Sequence, residues 1–177
     1  MLFCETPLPG AWIVDVEPIP DERGMFARTF SAKEFAERGL CVTWVQCSLS
    51  HNRKRGTLRG MHFQASPGEE TKLIRCTKGA IYDVIIDLRP GSPTFKRWTS
   101  VELTEENRRL FYVPVGFAHG FQTLTDNAEV FYQISQFYDP ALSRGVRWND
   151  PAFGITWPPA ADRIISARDQ SHADFAR

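Results

Sequence analysis

The stretch that most constrains this chain is Leu58-Arg59-Gly60-Met61-His62-Phe63-Gln64. It is a largely apolar run that predicts a β-strand, and it carries a cation, a glycine and an imidazole within four residues. In a regular strand Arg59 and His62 would point to opposite faces, but Gly60 permits a bend or bulge that brings both into one pocket. We therefore take His62 as the candidate centre of the chemistry and Arg59 as a fixed charge for an anionic substrate. The alternative is a hydrogen-bonded core histidine beside a surface arginine.

Length and composition predict a single domain spanning residues 1–177. With 42% hydrophobic residues the chain can bury a core without disulfides or metals. Lys plus Arg equals Asp plus Glu at 21 each, so no overall charge favours nucleic acid or an acidic membrane as partner. The four cysteines show no Cys-x-x-Cys spacing, and the first residues resemble no signal peptide, which predicts a reduced, cytoplasmic protein. No apolar run approaches the roughly 20 residues of a membrane span, so we expect a soluble protein.

Short β-branched and aromatic runs separated by turn residues predict a mainly β protein, either a sandwich or a barrel. The segment 80–88 alternates apolar even positions with Asp83 and Asp87 on the other face, which is typical of a half-buried strand. Pro18 and Pro20 confine the first strand to an edge or a terminus. The predicted strands are 11–19, 42–46, 58–64, 72–76, 80–88, 96–102, 109–113, 120–125 and 129–137.

Two capping boxes predict short helices near the two ends of the chain. Ser31-Ala32-Lys33-Glu34 opens the first helix, which Gly39 would close, and Ser166-Ala167-Arg168-Asp169 opens the second. Between the strands and the second helix, the loop 148–157 combines Pro, Asn and Asp with large aromatic residues. We predict that this loop packs over the barrel.

The segment Pro114-Val115-Gly116-Phe117-Ala118-His119-Gly120 matches the Pro-x-Gly-x-x-His pattern of the second cupin motif. Gly56 followed by His62 matches the beginning of the first motif, so the chain resembles a cupin barrel. A metal-binding cupin usually has a second histidine where Gln64 stands, and an amide is a poor replacement for an imidazole ligand. What remains is an incomplete metal set of His62, His119 and Glu69. We therefore predict that the protein works without a metal or another cofactor.

Several motifs together resemble the dTDP-4-dehydrorhamnose 3,5-epimerase family, in order and spacing, from Pro9 to Asp169. This resemblance implies a cupin-type double-stranded β-helix, or jelly-roll barrel, with short N- and C-terminal helices. It also implies cofactor-independent epimerisation at C3, C5 or both of a nucleotide-linked 4-keto-6-deoxyhexose, as in dTDP-rhamnose biosynthesis. The motifs are Asp21–Gly24, Leu58–Gln64, Lys72–Cys76, Ser92–Thr94, Pro114–Phe121, Trp148–Asp150 and Ser166–Asp169.

Epimerisation beside a ketone requires a base, a group that stabilises the enolate oxygen, and an acid that returns a proton to the opposite face. By resemblance His62 is the base, Lys72 helped by His119 stands near the enolate, and Tyr132 is the acid. Asp169 resembles the carboxylate that orients the imidazole. Taken singly, Tyr132 reads as core packing, Lys72 as a solvated cation and Asp169 as a helix cap. Their co-occurrence with the family pattern favours the catalytic roles.

A second group of residues is implied to bind the nucleotide diphosphate. Arg23 and Arg59 resemble the cations that grip the phosphates, and Phe26 could stack on the base. In the family, residues near Arg23 and Phe26 commonly reach into the partner's barrel, which implies a homodimer with shared active sites. The other residues implied to bind substrate are Arg28, Gln46, Ser48, His119 and Arg168.

The chain departs from the family pattern at positions that concern binding. Gln46-Cys47-Ser48 stands where the family usually has Gln, an acidic residue and Asn. Arg28 replaces an acidic residue, Ser143 stands near a missing glutamate, and Arg168 replaces a lysine. The departures therefore leave the preferred nucleotide base open.

Two alternatives of other classes stay open on sequence alone. One is a metal-dependent cupin oxygenase or isomerase, which metal analysis would separate. The other is a non-catalytic cupin that binds sugar nucleotides. The second is disfavoured because such a protein has no need for His62, Lys72, Tyr132 and Asp169 together.

Overall fold

The computed structural model describes residues 1–175 of the 177-residue chain. It is mainly β, as predicted, with two short helices. The elements are β1 (Leu2–Glu5), β2 (Trp12–Asp15), β3 (Ile19–Asp21), β4 (Gly24–Phe26), α1 (Ala32–Ala36), β5 (Gln46–Asn52), β6 (Thr57–Gln64), β7 (Lys72–Lys78), β8 (Ala80–Asp87), β9 (Trp98–Thr104), β10 (Leu110–Val113), β11 (Phe117–Thr123), β12 (Ala128–Ile134), β13 (Ser143–Gly145), β14 (Ile164–Ile165) and α2 (Ala167–Gln170).

Two antiparallel sheets form the barrel. The first has the strand order β1-β2-β10-β7-β12-β5 and the second has the order β13-β6-β11-β8-β9, with β14 running parallel to β6. Their inner faces meet in one hydrophobic core, to which the first sheet contributes Ile74 and Val130 and the second contributes Ile85 and Phe121. The strands β3 and β4 pair only with each other within the described part of the chain. In the described range 1–175, no helix combines the length and the hydrophobicity that a membrane crossing requires.

Parts of the outer faces of both sheets are also covered. Phe35 of α1 packs with Leu73 and Tyr112 on the outside of the first sheet. Phe153 of the C-terminal segment packs with Val84 on the outside of the second sheet, which confirms that the loop 148–157 lies over the barrel. A sheet buried on both faces reads as a nearly continuous hydrophobic run, and its polar residues must then find partners inside the protein.

Both predicted helices are confirmed together with their caps. The Ser31 hydroxyl accepts a hydrogen bond from the Glu34 amide at 3.4 Å, and the Ser166 hydroxyl accepts one from the Asp169 amide at 3.1 Å. Gly39 follows α1 in the left-handed region (φ +67°), and its amide donates to the Ala36 carbonyl at 2.9 Å. A left-handed glycine at this point ends the helix without steric cost.

The expectation of a half-buried strand at residues 80–88 is wrong. The alternation separates the two faces of β8 correctly, but both faces are interior. Ile81 and Ile85 lie in the barrel core, whereas Val84 packs beneath the C-terminal segment. Asp83 and Asp87 therefore have no exposed surface. Their acidic character signals internal partners instead of contact with solvent.

Two other predicted strands differ more strongly from the structure, whereas the rest shift by at most three residues at either end. The segment 11–19 divides into β2, which pairs with β10, and β3, which turns away into a hairpin with β4. The strand predicted at 42–46 instead begins at Gln46 and continues to Asn52 along β12. Before it, Trp44 packs edge-on against Phe30, with 6.0 Å between the ring centroids. Tertiary packing thus overrides the β propensity of residues 42–45.

Candidate active site

The predicted bend between Arg59 and His62 is confirmed. His62 pairs with His119 across β6 and β11, but the register shifts before Arg59 pairs with Phe121. Gly60 has a φ of +143°, and a Cβ there would lie 2.6 Å from the Cα of Gly120. Only glycine permits this close approach of the two backbones. As a result, Arg59 and His62 line the same cavity.

That cavity has a volume of about 660 Å³ and lies between the two sheets. Its walls carry nine of the twelve residues that the sequence assigned to catalysis or binding. The second sheet and the C-terminal segment supply one wall, and the first sheet supplies the other. The nine residues are Gln46, Ser48, Arg59, His62, Lys72, His119, Tyr132, Arg168 and Asp169.

His62 and Asp169 form an imidazole–carboxylate pair at the cavity. The distance from Nε2 of His62 to Oδ1 of Asp169 is 2.8 Å, and Oδ2 accepts a hydrogen bond from the Gly60 amide at 3.2 Å. Burial opposes the ionisation of Asp169, but the hydrogen bonds from His62 and Gly60 hold its pKa below the ordinary value. An ionised carboxylate can only accept, so Nε2 carries the proton and Nδ1 carries the lone pair. The His62 side chain keeps 40% of its surface exposed, which leaves it accessible to a substrate.

His119 and Asp83 form a second pair, which is fully buried. Nε2 of His119 lies 2.9 and 3.0 Å from the two carboxylate oxygens of Asp83. Burial raises the pKa of Asp83, although the nearby His119 opposes this shift. The His119 ring also meets the Tyr132 ring edge-on, with 6.0 Å between centroids. Asp83 was not among the predicted site residues, although an acidic residue within an apolar strand was a signal for it.

Lys72 lies inside the cavity wall and not on the surface. It is 8% exposed, and its Nζ lies 2.8 Å from Oε1 of Glu70. The sequence reasoning did not include Glu70, although the i, i+2 spacing around Thr71 puts the two side chains on the same side of an extended segment. The ion pair fixes the direction of the ammonium group toward the cavity that both residues line.

Tyr132 lies on the wall opposite His62. It belongs to β12 in the first sheet, and it packs against the barrel core. Burial, followed by the charge of Asp83, raises the pKa of the Tyr132 phenol above its ordinary value. The phenol therefore keeps its proton at neutral pH, as an acid that waits for an enolate must.

The rim of the cavity is polar and aromatic. Nε of Arg59 donates to Oδ1 of Asn52 at 2.8 Å, and NH2 of Arg168 donates to the Ser143 hydroxyl at 2.9 Å. Hydrogen bonds from Arg168 and then Ser143 lower the pKa of Tyr138, an exposed residue that the sequence reasoning missed. Arg168 thus meets neutral partners where the family pattern would supply a glutamate.

The other three predicted binding residues lie outside this cavity. The Arg23 side chain is 84% exposed and pairs with Asp21 at 2.6 Å in the β3–β4 hairpin. Phe26 of the same hairpin is 68% exposed. Arg28 lies 3.5 Å from Glu34 and is also exposed. Within one chain, therefore, the structure does not bring this group to the predicted catalytic residues.

The side chains that lie close enough to share a metal ion are not the set of His62, His119 and Glu69 that the sequence suggested. Gln64 is occupied, because its amide nitrogen donates to the carbonyls of Gly68 and Phe137 at 3.0 and 3.1 Å. Glu69 is exposed and does not line the cavity. Instead, one donor atom each from His62, Asp169 and His172 lie within 4.8 Å of one another. Burial, followed by the charge of His62, lowers the pKa of His172.

Comparison with known proteins identifies a family for the whole chain. Residues 5–177 match the family model for dTDP-4-dehydrorhamnose 3,5-epimerase. The dTDP-4-dehydrorhamnose 3,5-epimerase of Methanothermobacter thermautotrophicus is 45% identical over 171 residues, which cover 96% of this chain and 91% of that protein.

Solved structures show the same similarity. The crystal structure of dTDP-4-dehydrorhamnose 3,5-epimerase from Elizabethkingia anophelis NUHP1 has a TM-score of 0.95 at 38% identity, covering 99% of this chain and 96% of that one. The crystal structure of dTDP-6-deoxy-D-glucose-3,5-epimerase from Legionella pneumophila Philadelphia 1, in complex with dTDP-4-keto-L-rhamnose, has a TM-score of 0.90 at 36% identity. The match covers 95% of this chain and 89% of that one. The barrel is therefore of the predicted cupin type. The chain belongs to the dTDP-4-dehydrorhamnose 3,5-epimerase family.

Proposed function

We propose that this protein epimerises C3, C5 or both of a nucleotide-linked 4-keto-6-deoxyhexose, as in the conversion of dTDP-4-dehydro-6-deoxyglucose to dTDP-4-dehydrorhamnose. One observation carries the proposal. The base candidate His62 and the acid candidate Tyr132 stand on opposite sheets and face one cavity. Inversion of a carbon beside a ketone needs a proton acceptor on one face and a proton donor on the other.

The reaction proceeds through an enolate. Nδ1 of His62 takes the proton from the carbon beside the ketone, and the electron pair of that C–H bond moves to form the enolate, with negative charge on the former ketone oxygen. The ammonium of Lys72, which is 8% exposed, stabilises this charge, because electrostatic interactions are stronger where water is excluded. The Tyr132 phenol then protonates the same carbon from the other face, and the carbonyl forms again. Solvent removes the proton from His62 and returns one to Tyr132, so solvent hydrogen enters the product.

Asp169 and His119 position the groups that react. Asp169 holds Nε2 of His62 and thereby selects the tautomer with a free Nδ1. His119, held by Asp83, packs against the Tyr132 ring and limits its movement. Both histidines thus depend on a carboxylate from a distant part of the chain, but only His62 has the exposure that a base needs.

The nucleotide diphosphate is proposed to bind at the rim, where Arg59 and Arg168 supply positive charge and Gln46 and Ser48 supply polar groups. Arg23, Phe26 and Arg28 are proposed to come from a second copy of the chain in a homodimer. Two facts support this proposal. The hairpin that carries Arg23 and Phe26 lies outside its own cavity, and it exposes Ile19 and Phe26 at 66% and 68%. An exposed apolar arm of this kind is typical of an interface.

The remaining expectations are proposals as well. We propose that residues 1–177 act as one catalytic domain in the cytoplasm, without a nucleic-acid or membrane partner. We also propose that turnover needs no metal or other cofactor, because Lys72 can stabilise the enolate. Treatment with a chelator should therefore leave turnover unchanged. Loss of turnover on chelation, with recovery on adding back one metal, would contradict this expectation.

The test of the function is incubation with a panel of 4-keto-6-deoxy sugar nucleotides in heavy water, followed by NMR. We expect deuterium at C3, C5 or both, with inversion of each labelled carbon. Tyr132→Phe should retain some exchange but lose inversion, because the base still removes a proton that no acid returns to the opposite face. If no member of the panel shows exchange or inversion, the proposed function is wrong.

A further inference from the structure

We propose that His62, Asp169 and His172 bind one divalent transition-metal ion of the Zn²⁺ type, and that this ion switches the catalytic base off. The inference goes beyond the proposed epimerase reaction, which assigns no role to His172 or to a metal, and its switching effect rests on His62 being the base of that reaction. It concerns a binding site that overlaps the base without being needed for catalysis.

The donor set has the chemistry that such an ion prefers. Two imidazoles and one carboxylate are common ligands of Zn²⁺, with water or another ligand in the open position. The three donor atoms lie within 4.8 Å of one another. Because Zn²⁺ binds nitrogen and oxygen at about 2.0–2.2 Å, two ligand atoms on one ion are at most roughly 4 Å apart. A small rotation of the partly exposed imidazoles closes the remaining gap.

The position of His172 is a consequence of a glycine. Gly145 pairs with His62 across β13 and β6. A Cβ at residue 145 would overlap the imidazole of His172. The absence of a side chain at Gly145 therefore creates the space in which His172 lies beside His62, with 6.4 Å between the two ring centroids.

A second observation concerns the hydrogen bonds of His172. Its Nε2 is buried and has no hydrogen-bond partner among residues 1–175. A buried polar atom without a partner costs free energy and calls for an explanation such as an ion or an ordered water molecule. The imidazole thus occupies a partly enclosed position beside an ionised carboxylate, and the described part of the chain offers Nε2 no acceptor to hold it there.

Binding of the ion would remove the base. An ion bound to Nε2 of His62 and to Asp169 replaces the hydrogen bond between them. The neutral imidazole then carries its proton on Nδ1, the atom that must accept the proton of the substrate. Proton abstraction from the substrate then stops. Since the imidazoles must be neutral to bind the ion, the affinity should rise with pH.

The experiment uses the full-length protein after removal of metal by a chelator. Isothermal titration calorimetry with Zn²⁺, and the visible absorption of added Co²⁺, measure binding without any substrate. We expect one ion per chain. His172→Gln should weaken binding by about tenfold or more, since loss of even an outer partner of a metal ligand costs about 10–100-fold. The matched control is His51→Gln, which removes an exposed histidine on β5.

A second variant and a second readout complete the test. Gly145→Ala should displace His172 and weaken Zn²⁺ binding while both histidines remain in the chain. Inhibition of solvent exchange by Zn²⁺ is measured relative to the metal-free rate of each protein, and it should require a higher Zn²⁺ concentration in His172→Gln. Circular dichroism confirms that each variant is folded.

Two outcomes would overturn the inference: absence of saturable binding to the wild-type protein, or equal Zn²⁺ affinity in the wild-type protein and His172→Gln. Either result leaves the epimerase proposal intact, because that proposal is tested by exchange in metal-free protein. Conversely, a protein that turns over no sugar nucleotide but binds one Zn²⁺ through His172 supports the site and refutes only the epimerase proposal.

Discussion

His62–Asp169 and His119–Asp83 are two imidazole–carboxylate pairs whose histidines lie on neighbouring strands, and they differ mainly in burial. The His62 side chain is 40% exposed, whereas the His119 side chain is 6% exposed. Asp169 also accepts a hydrogen bond from the Gly60 amide, while burial dominates the environment of Asp83. The pKa of Asp169 is consequently lowered and that of Asp83 is raised. The same two side chains can therefore make a reactive base in one place and a fixed structural pair in another.

The strongest test of this contrast replaces each histidine in turn. We expect His62→Ala to lose turnover and solvent deuterium uptake by about 10²–10⁴-fold, the usual contribution of a general base. His119→Ala should lose less exchange per folded molecule, because His119 positions neighbouring groups and does not accept the proton. NMR of deuterium uptake, normalised to the folded fraction, measures both effects.

The exposed residue His51 provides the control, and His51→Ala should exchange at the wild-type rate. If His62→Ala exchanges like the wild-type protein while His119→Ala does not, the roles of the two pairs are reversed. The mechanism proposed above would then fail.

The second test measures how each aspartate links stability to pH. The folded-state pKa of Asp169 is below the ordinary value of 3.8, so its ionisation stabilises the fold above that value. This stabilisation is lost as the pH falls through the lowered folded-state pKa. The folded-state pKa of Asp83 is raised, so its contribution is fully present below 3.8 and is lost as the pH rises through the raised value. The two aspartates should therefore act in opposite directions.

Urea unfolding of wild-type protein, Asp169→Asn and Asp83→Asn across acidic and neutral pH provides the measurement. The wild-type advantage in unfolding free energy over Asp169→Asn should grow as the pH rises toward 3.8. Above pH 3.8, the unfolding free energy of the wild-type protein should instead fall relative to that of Asp83→Asn. Each slope is limited to about 1.4 kcal/mol per pH unit for one proton. Slopes of the same sign would show that burial does not distinguish the two pairs.

The smallest expected effect is on the affinity for different nucleotides. The proposed nucleotide site is at the rim of the cavity, away from the buried His119–Asp83 pair. Cys47 and Ser48 stand where the family has an acid and an amide, and a base edge left unpaired costs roughly 1–3 kcal/mol. The charge of Arg28 should partly offset this loss by attracting phosphate without regard to the base. We therefore expect dTDP, UDP and CDP to bind within about tenfold of one another, or about 1.4 kcal/mol.

Titration calorimetry of the free enzyme with the three nucleotides checks this expectation. A preference for dTDP of about a hundredfold or more would show that other residues rebuild thymine recognition. Tyr138 and Arg168 at the rim would then be the first residues to replace. Neither result should change the hydrogen bonds of the His119–Asp83 pair, because both side chains are buried.

Local patterns in the sequence were enough to predict several elements of the fold. The capping boxes at Ser31 and Ser166 predicted both helices, because cap, backbone and first turn are contained within four residues. Gly60 predicted the bend that brings Arg59 and His62 together, because the freedom of glycine is a property of one residue. The alternation in β8 separated its two faces correctly, because the period of two depends only on neighbouring residues.

Only the tertiary structure decided what surrounds those elements. Asp169 lies 107 residues from His62 in the chain, and no spacing rule could have placed His172 beside Gly145. The alternation suggested that Asp83 faces solvent, but its face of β8 is the one that also carries Ile81 and Ile85 of the barrel core. The apolar face opposite is covered by the C-terminal segment, which alternation cannot reveal. Periodicity and capping depend on neighbouring residues, whereas burial and ion pairing depend on which distant segments the fold brings together.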